Sequence, residues 1–72
     1  MDMAEVTMPM NGKVINILVN VGDAVQEDAE LVVIEAMKME LPVVATANGT
    51  VTEIKAKVGE SYQVDDVLVV IG

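Results

Sequence analysis

The residues that could do chemistry in this chain lie between Glu35 and Glu40, with Lys38 at the centre and a methionine on either side of it. Lys38 provides a primary amine, which is a nucleophile once it loses its proton. The chain contains no His, Cys or Arg, so it has no histidine base, no thiol and no histidine ligand for zinc. We therefore do not expect the chain to be an enzyme by itself, because no nucleophile–base pair or metal site can be assembled.

Two extended segments flank this stretch and must position it. Leu31 to Ile34 is a short apolar run that predicts a buried strand, and Met39 to Ala45 is a second extended segment interrupted only by Pro42. No Gly or Asn-Gly separates the two, so we predict a tight hairpin with Met37 and Lys38 at its tip. Two-residue hairpin loops usually contain Asn-Gly or Asp-Gly, because a positive φ is costly for a residue with a Cβ. Two long side chains at such a turn suggest that a local rule is broken for function.

The chain also contains an internal repeat. With an offset of 37 residues, residues 11–34 match residues 48–71 at 12 of 24 positions, among them Asn11-Gly12 with Asn48-Gly49 and the whole of 31–34 with 68–71. Two copies are too few for a solenoid. The repeat predicts two similar β units packed about a pseudo-twofold axis. We expect an all-β fold of about eight short strands, as in a small sandwich or barrel.

Each copy has the same predicted parts. A turn at Asn-Gly leads into a strand whose apolar face we predict from alternation; its members are Ile15, Ile17, Val19 and Val21 in the first copy and Ile54, Ala56 and Val58 in the second, with Thr52 at the start. Gly22 and Gly59 then form turns with a positive φ. A further strand is predicted before the first copy, from Glu5 to Met8, ended by Pro9.

The repeat also predicts where Lys38 lies. With the same offset, Lys38 corresponds to Met1 in one direction and to a position just after Gly72 in the other. The pseudo-twofold axis therefore relates the hairpin to the place where the two ends of the chain meet. We expect Lys38 at the opposite end of the domain from the termini, exposed to solvent.

Length and charge limit the functions that are possible. We interpret the 72 residues, 53% of them hydrophobic, as one domain spanning residues 1–72, near the lower size limit for a fold without disulfides. The net charge of −8 argues against nucleic acids and anionic membranes as partners. No apolar run reaches the roughly 18 residues of a membrane span, and the first residues do not resemble a signal peptide. Since Cys is absent, we expect a cytoplasmic location. The acidic residues lack the spacing of a calcium loop, and we interpret them as a solvated surface.

Several segments resemble one known family. Ala36 to Met39 resembles the biotin attachment motif, Met8 to Val14 the opening segment of biotinyl and lipoyl attachment domains, Gly22 to Val25 their Gly-Asp-x-Val turn, and Ala47 to Val51 their second glycine turn. Thr46 stands where family members often have proline. The resemblance covers nearly the whole chain and implies the biotin carboxyl carrier type. It implies a flattened barrel of two small antiparallel sheets. The protruding loop of some carriers is absent here, because the repeat continues from Val21 to Leu31 without an insertion.

The resemblance also implies a role for Lys38. In such carriers the lysine amine holds biotin through an amide, made when a biotin protein ligase presents biotin as an acyl-adenylate. The attached biotin would then carry CO2 between a biotin carboxylase and a carboxyltransferase. Met37, Met39, Ala36 and Glu35 would be the cofactor-binding residues around it. The domain itself would be a monomer without bond chemistry of its own.

Three alternatives remain open from the sequence. A lipoyl carrier of a 2-oxo acid dehydrogenase complex would share the fold, but such domains usually have Asp before the lysine, where this chain has Met37. An unmodified β module would only bind a partner. A free-standing attachment protein could accept either cofactor. For Met37 and Met39, packing in the core and contact with biotin or the ligase are both compatible with the sequence, although at least one of them should be exposed.

Overall fold

A computed structural model describes residues 3–72, and within that range the chain forms eight β-strands and no helix. They are β1 (Ala4–Thr7), β2 (Gly12–Ile17), β3 (Ala24–Val25), β4 (Glu30–Ala36), β5 (Met39–Val44), β6 (Gly49–Ile54), β7 (Ser61–Tyr62) and β8 (Val67–Ile71). No helix in this part of the chain could cross a membrane. The predicted equivalence of Lys38 with Met1, and the first two residues of the predicted domain 1–72, lie outside the described residues.

The strands form two antiparallel four-stranded sheets, which confirms the all-β fold. One sheet has the order β1-β8-β6-β3 and the other β5-β4-β2-β7. An offset of 37 residues converts β2, β3 and β4 into β6, β7 and β8, and it converts β1 into β5. The same offset therefore turns one strand order into the other. Each sheet contains strands of both halves, since β3 pairs with β6 and β7 pairs with β2. The repeat is thus a pair of interlocked β units.

The core lies between the sheets and consists of aliphatic side chains. The interior strands β4 and β8 contribute most of it, because each is paired on both sides and carries a continuous apolar run. Each fully buried aliphatic side chain stabilises the fold by roughly 1.5–3 kcal/mol. The members with less than 2% exposure are Met8, Leu31, Ile34, Leu68, Ile71, Val6, Val14, Val32, Val51 and Val69. This core fixes β4, the strand that leads to Lys38.

The predicted alternation of β2 and β6 is confirmed for Ile17, Val19, Ile54 and Ala56, which lie in the core or pack against it, but it is wrong before and after them. Val14 and Val51 are the buried residues of these strands, whereas Val21 and Val58 are 62% and 59% exposed. A register shift in both ladders explains why Val14 and Val51 are buried: β2 pairs with β4 through Val14 and then Asn16, and β6 pairs with β8 through Val51 and then Glu53. One extra residue on the bulged strand changes the face of every residue after it. The strands also end at Ile17 and Ile54, before the predicted valines.

The turns follow the repeat closely. Gly22 and Gly59 have φ of 97° and 93°, as predicted, and Asp28 and Asp65 have φ of 72° and 73°. These left-handed conformations suit Gly and, among residues with a Cβ, Asp and Asn. The predicted strand from Glu5 to Met8 is present as β1, one residue earlier.

The Lys38 hairpin lies at the opposite end of the fold from the paired strand ends near the termini. Gly72 exchanges backbone hydrogen bonds with Thr50, and the neighbouring Asn48 side chain accepts one from Glu27, just before β4 begins. The seven residues of β4 then extend about 20 Å away from that end, in a molecule whose longest dimension is 36 Å. For residues 3–72, the predicted placement of Lys38 is confirmed.

Candidate functional site

The tip of the β4–β5 hairpin is a two-residue loop. Ala36 pairs with Met39 across the two strands, so Met37 and Lys38 form the whole loop. Both lie in the left-handed region, with φ of 54° for Met37 and 64° for Lys38. Positive φ at both central residues defines the type I′ turn, whose twist matches that of the flanking strands. The predicted hairpin is confirmed, with two long side chains where Asn-Gly is usual.

The residues of the predicted site differ sharply in exposure. Met37 is 86% exposed and Met39 61%, which confirms that at least one methionine at the tip is exposed. Lys38, Glu35 and Glu40 are exposed as well. Ala36 is only 4% exposed, so any contribution it makes to a bound cofactor comes through the position of the turn.

The strands below the tip hold it in place. Ile34, two residues before Ala36, is fully buried in the core. A Cβ on Gly12 would lie 2.7 Å from the carbonyl oxygen of Glu35 and 3.1 Å from the Cβ of Ala36, so glycine lets β2 approach the end of β4 closely. Pro42 lies in β5, which is an edge strand, where the missing N–H is tolerated. The loop therefore projects from a rigid base.

A row of charged residues crosses the sheet next to the tip. Glu35 is paired with Lys13 on one side and with Glu40 on the other. Residues directly opposite one another point to the same face of a sheet, and like charges in such positions repel. Lys13 places a positive charge beside the two glutamates. One hydrogen-bond donor, the Lys13 ammonium, and two acceptors, the Glu35 and Glu40 carboxylates, therefore lie one residue pair below the pair that closes the loop.

An open cleft of about 550 Å³ lies beside the tip. Its walls come from the start of β2, the end of β4 with Met37, and β7 together with the next residue, Gln63. Lys13 and Glu35 of the charged row also line it. The cleft therefore combines residues of both halves of the repeat, and it opens where the loop begins.

Tyr62 is fixed at this cleft by two hydrogen bonds. Its hydroxyl accepts one from the backbone N–H of Lys57 at 2.9 Å and donates one to Oε2 of Glu60 at 3.0 Å. Burial raises the pKa of this hydroxyl; the Lys57 amide acts in the opposite direction, and the hydrogen bond and charge of Glu60 raise the pKa further. The ring packs against the core, as its counterpart Val25 does.

Lys13 and Tyr62 were not among the predicted site residues, although the repeat contained a signal for both. At the equivalent positions of the other half stand Thr50 and Val25. These two positions therefore depart from the repeat, although Tyr62 also serves the fold through its packing against the core and its two hydrogen bonds. No group of three or more His, Cys, Asp or Glu side chains among residues 3–72 could hold a metal ion.

Comparison with known proteins gives one matching family. The biotin/lipoyl family, described as "Biotin-requiring enzyme", matches residues 4–71. The chain is also 54% identical over 37 residues, 51% of its length, to the biotin carboxyl carrier protein of Streptococcus mutans. The fold resembles part of the urea carboxylase of Kluyveromyces lactis, with a TM-score of 0.93 and 32% identity over 99% of the chain.

A second structural relative is a single-chain, multi-domain long-chain acyl-CoA carboxylase, with a TM-score of 0.86 and 25% identity over 94% of the chain. The regions matched are small parts of these proteins. They are 28% of the Streptococcus protein, 6% of the urea carboxylase and 7% of the acyl-CoA carboxylase.

Proposed function

The chain belongs to the biotin-requiring enzyme family, and from that premise we propose that it is a biotin carboxyl carrier domain with Lys38 as the residue that holds biotin. The observation that carries this proposal is the tip geometry. Lys38 is exposed in a two-residue loop and has a φ of 64°, a conformation that is costly for a lysine. Such backbone strain is kept where the surrounding structure enforces it, and it is often found at functional sites.

The residues at the tip fit covalent attachment of biotin. A primary amine on an exposed loop is reachable by a ligase, and biotin has a carboxyl group that such an amine converts to an amide once it is activated. We propose that a biotin protein ligase performs this activation. The exposed thioethers of Met37 and Met39 lie on both sides of the amine, where they can contact the ligase or the attached group.

When attached, biotin would supply the carrier chemistry, accepting a carboxyl group at a biotin carboxylase and giving it up at a carboxyltransferase. The chain's own contribution is position. The rigid β4–β5 base presents Lys38 at one end of the molecule, and the strand ends near the termini lie at the other. A partner or a parent chain joined near the termini would therefore leave the tip free. Tethering raises the effective concentration of the group at each partner site to roughly the millimolar range.

The proposal has further parts. We propose a non-catalytic, monomeric domain, located in the cytoplasm, that works with a biotin carboxylase and a carboxyltransferase in the same assembly. The relatives named above are a biotin carboxyl carrier protein, a urea carboxylase and an acyl-CoA carboxylase, which supports a carboxylase as the parent enzyme. They differ in substrate, so the proposal specifies no acceptor.

Intact mass spectrometry tests the proposal. The chain is incubated with biotin, ATP and a biotin protein ligase, and in parallel with a lipoylating enzyme and lipoate. We expect a gain of one biotinyl group, located on the peptide that contains Lys38. A gain of lipoyl alone would assign the chain to the 2-oxo acid dehydrogenase complexes. No gain in either reaction would leave an unmodified β module and would contradict the proposal.

A further inference from the structure

The sheet that carries the loop has an apolar patch on its outer face, the face turned away from the core. The pairing register sets Val33 between Asn16 and Pro42, on the same face as the charged row, and Val44 follows two residues after Pro42 on that face. Ile15, the extra residue of the β2 bulge, lies beside Val33. Ile15, Val33 and Val44 are half-buried, yet within residues 3–72 they do not pack against the core cluster. The patch consists of Ile15, Val33, Pro42 and Val44.

The other sheet is polar at most of the equivalent positions. With the offset of 37 residues, Val33 has an apolar counterpart in Val70, but Val70 is only 3% exposed. The other three members of the patch have polar counterparts: Ile15, Pro42 and Val44 correspond to Thr52, Glu5 and Thr7. Only the sheet with the Lys38 loop therefore has this apolar surface with a polar rim, which is typical of an interaction site.

A cleft of about 230 Å³ extends the patch to the edge of the sheet. It lies between the edge strands β1 and β5, and it is lined by Pro42 and Val44 on β5 and by Glu5 on β1. This combination suits a lysine or arginine side chain, whose methylene groups pack on an apolar surface while its charge meets a carboxylate. Glu30, paired with Val44, and Glu35 add negative charge on the outer face. A partner should therefore present apolar residues surrounded by basic ones.

The position of the patch relative to Lys38 indicates which partner this is. A ligase has to bring activated biotin to Nζ of Lys38 itself, so its surface must approach the hairpin to within the length of one lysine side chain. A carboxylase and a carboxyltransferase act on the far end of the attached arm and can stay further from the sheet. The ligase is therefore the partner that has to cover the sheet beside the loop.

We propose that the biotin protein ligase docks on the outer face of β2, β4 and β5, with apolar contact at the patch and a lysine or arginine side chain in the cleft between β1 and β5. The inference rests on the proposed function, since it requires a ligase that acts at Lys38. The six residues of β5 from Lys38 to Val44 span about 20 Å, and an interface of standard size covers that length.

Steady-state kinetics of biotinylation, with the concentration of the chain varied, test the patch. Val44→Thr should raise the KM of the ligase for the chain roughly fivefold, because it places a hydroxyl in an apolar contact. The kcat should not change, because the contact is the same before and during the reaction. Val67→Thr is the matched control: Val67 is also a half-buried strand valine outside the core cluster of residues 3–72, but it lies on the other sheet. Its KM should equal that of the parent chain.

A second pair of variants tests the cleft. Glu5→Gln should raise the KM and make it less sensitive to salt, because it removes the carboxylate that meets the basic side chain. Glu53→Gln is the control, since Glu5 and Glu53 pair with opposite sides of Val70 and both are exposed, but only Glu5 lines the cleft. The control should keep the KM and the salt dependence of the parent. Circular dichroism checks that each variant is folded.

Nuclear magnetic resonance locates the contact without turnover. When the ligase is added with biotin but without ATP, we expect amide shifts at Val33 and Val44 and none at Val67 and Val70. Shifts at the patch when the chain alone is concentrated, or with a biotin carboxylase and not with the ligase, would assign the patch to a second copy or to the carboxylase and overturn the proposal.

The two proposals fail in different ways. Normal loading with the parent KM in both Val44→Thr and Glu5→Gln would overturn the docking surface and leave the carrier function intact. A chain that the ligase does not load would overturn both.

Discussion

Asn11 and Asn48 make the same hydrogen bond in opposite halves of the molecule. The Oδ1 of Asn11 accepts from the backbone N–H of Val64 at 2.8 Å, and the Oδ1 of Asn48 accepts from that of Glu27 at 2.7 Å. Asn11 precedes β2 in the first half and binds the segment before β8 in the second half. Asn48 precedes β6 in the second half and binds the segment before β4 in the first half. The pseudo-twofold axis is therefore visible in side-chain contacts as well as in strand order.

This relationship predicts a stability loss at the end away from the tip. Asn48→Ala should lower the free energy of unfolding by about 1 kcal/mol, because it removes one hydrogen bond between the halves. The measurement is urea denaturation followed by circular dichroism. The control is Asn16→Ala in β2, because its exposed side chain makes no hydrogen bond within residues 3–72. Equal stability of the two variants would contradict the bridging role of Asn48. Loading at Lys38 should not change in either.

Lys38→Arg should abolish biotin loading while the domain stays folded. The guanidinium cannot form the amide under these conditions, and a change at an exposed tip alters stability by no more than about 0.5 kcal/mol. Intact mass after reaction with the ligase gives the first result, and denaturant unfolding gives the second. Lys13→Arg and Lys55→Arg are the controls, and both should load normally. A Lys38→Arg chain that gains biotin would refute the assignment of Lys38.

Much of this site is predictable from sequence because its determinants are local. The apolar run of β4, the extended residues after it and the absence of a glycine between them are sufficient to place Met37 and Lys38 at a tight turn. The repeat supplies the topology, since identical turn residues recur at a constant offset. Even the opposite placement of Lys38 and the strand ends follows from that offset.

The parts that sequence did not predict depend on pairing between distant strands. The extra residues at Ile15 and Thr52 become bulges only because β4 and β8 pair with those strands, and alternation alone therefore missed the burial of Val14 and Val51. Lys13 meets Glu35 only because β2 lies beside β4 in the sheet. The cleft at Tyr62 likewise requires β7, from the second half, to pair with β2 from the first.

Met37→Asn should stabilise the fold. Met37 has a φ of 54°, and a left-handed conformation costs an ordinary residue roughly 1–2 kcal/mol, whereas asparagine tolerates it. We expect the free energy of unfolding to rise by about 1 kcal/mol, as measured by urea denaturation. Met39→Asn is the control, because Met39 is also exposed but lies in β5, where asparagine is unfavourable. A loss of stability in Met37→Asn would show that the Met37 side chain stabilises the turn.

Gly12→Ala and Gly49→Ala should both destabilise the fold, but only Gly12→Ala should also disturb the position of the Lys38 loop. A Cβ at Gly12 would lie 2.7 Å from the Glu35 carbonyl oxygen, and a Cβ at Gly49 would lie 2.6 Å from Cγ2 of Ile71. Both overlaps should cost about 1–3 kcal/mol. Only Gly12→Ala moves the strand that ends in the Lys38 loop, so only this variant should slow loading by the ligase. Equal loading rates in the two folded variants would contradict the role of Gly12 in placing the tip.

Alkaline pH should destabilise the domain through Tyr62. Burial and the Glu60 contact raise the pKa of its hydroxyl in the folded chain above the ordinary value near 10. The folded state therefore holds the proton more tightly than the unfolded state, so this contribution to stability is complete below about pH 10 and is lost as pH rises through the folded pKa. Because Tyr62 is the only tyrosine and tryptophan is absent, the ultraviolet absorbance of tyrosinate reports its titration directly. Tyr62→Phe should show a smaller alkaline loss of unfolding free energy than the parent chain, since the lysines titrate in both. An absorbance midpoint at or below that of free tyrosine would contradict the effect of partial burial and of the Glu60 hydrogen bond on this hydroxyl.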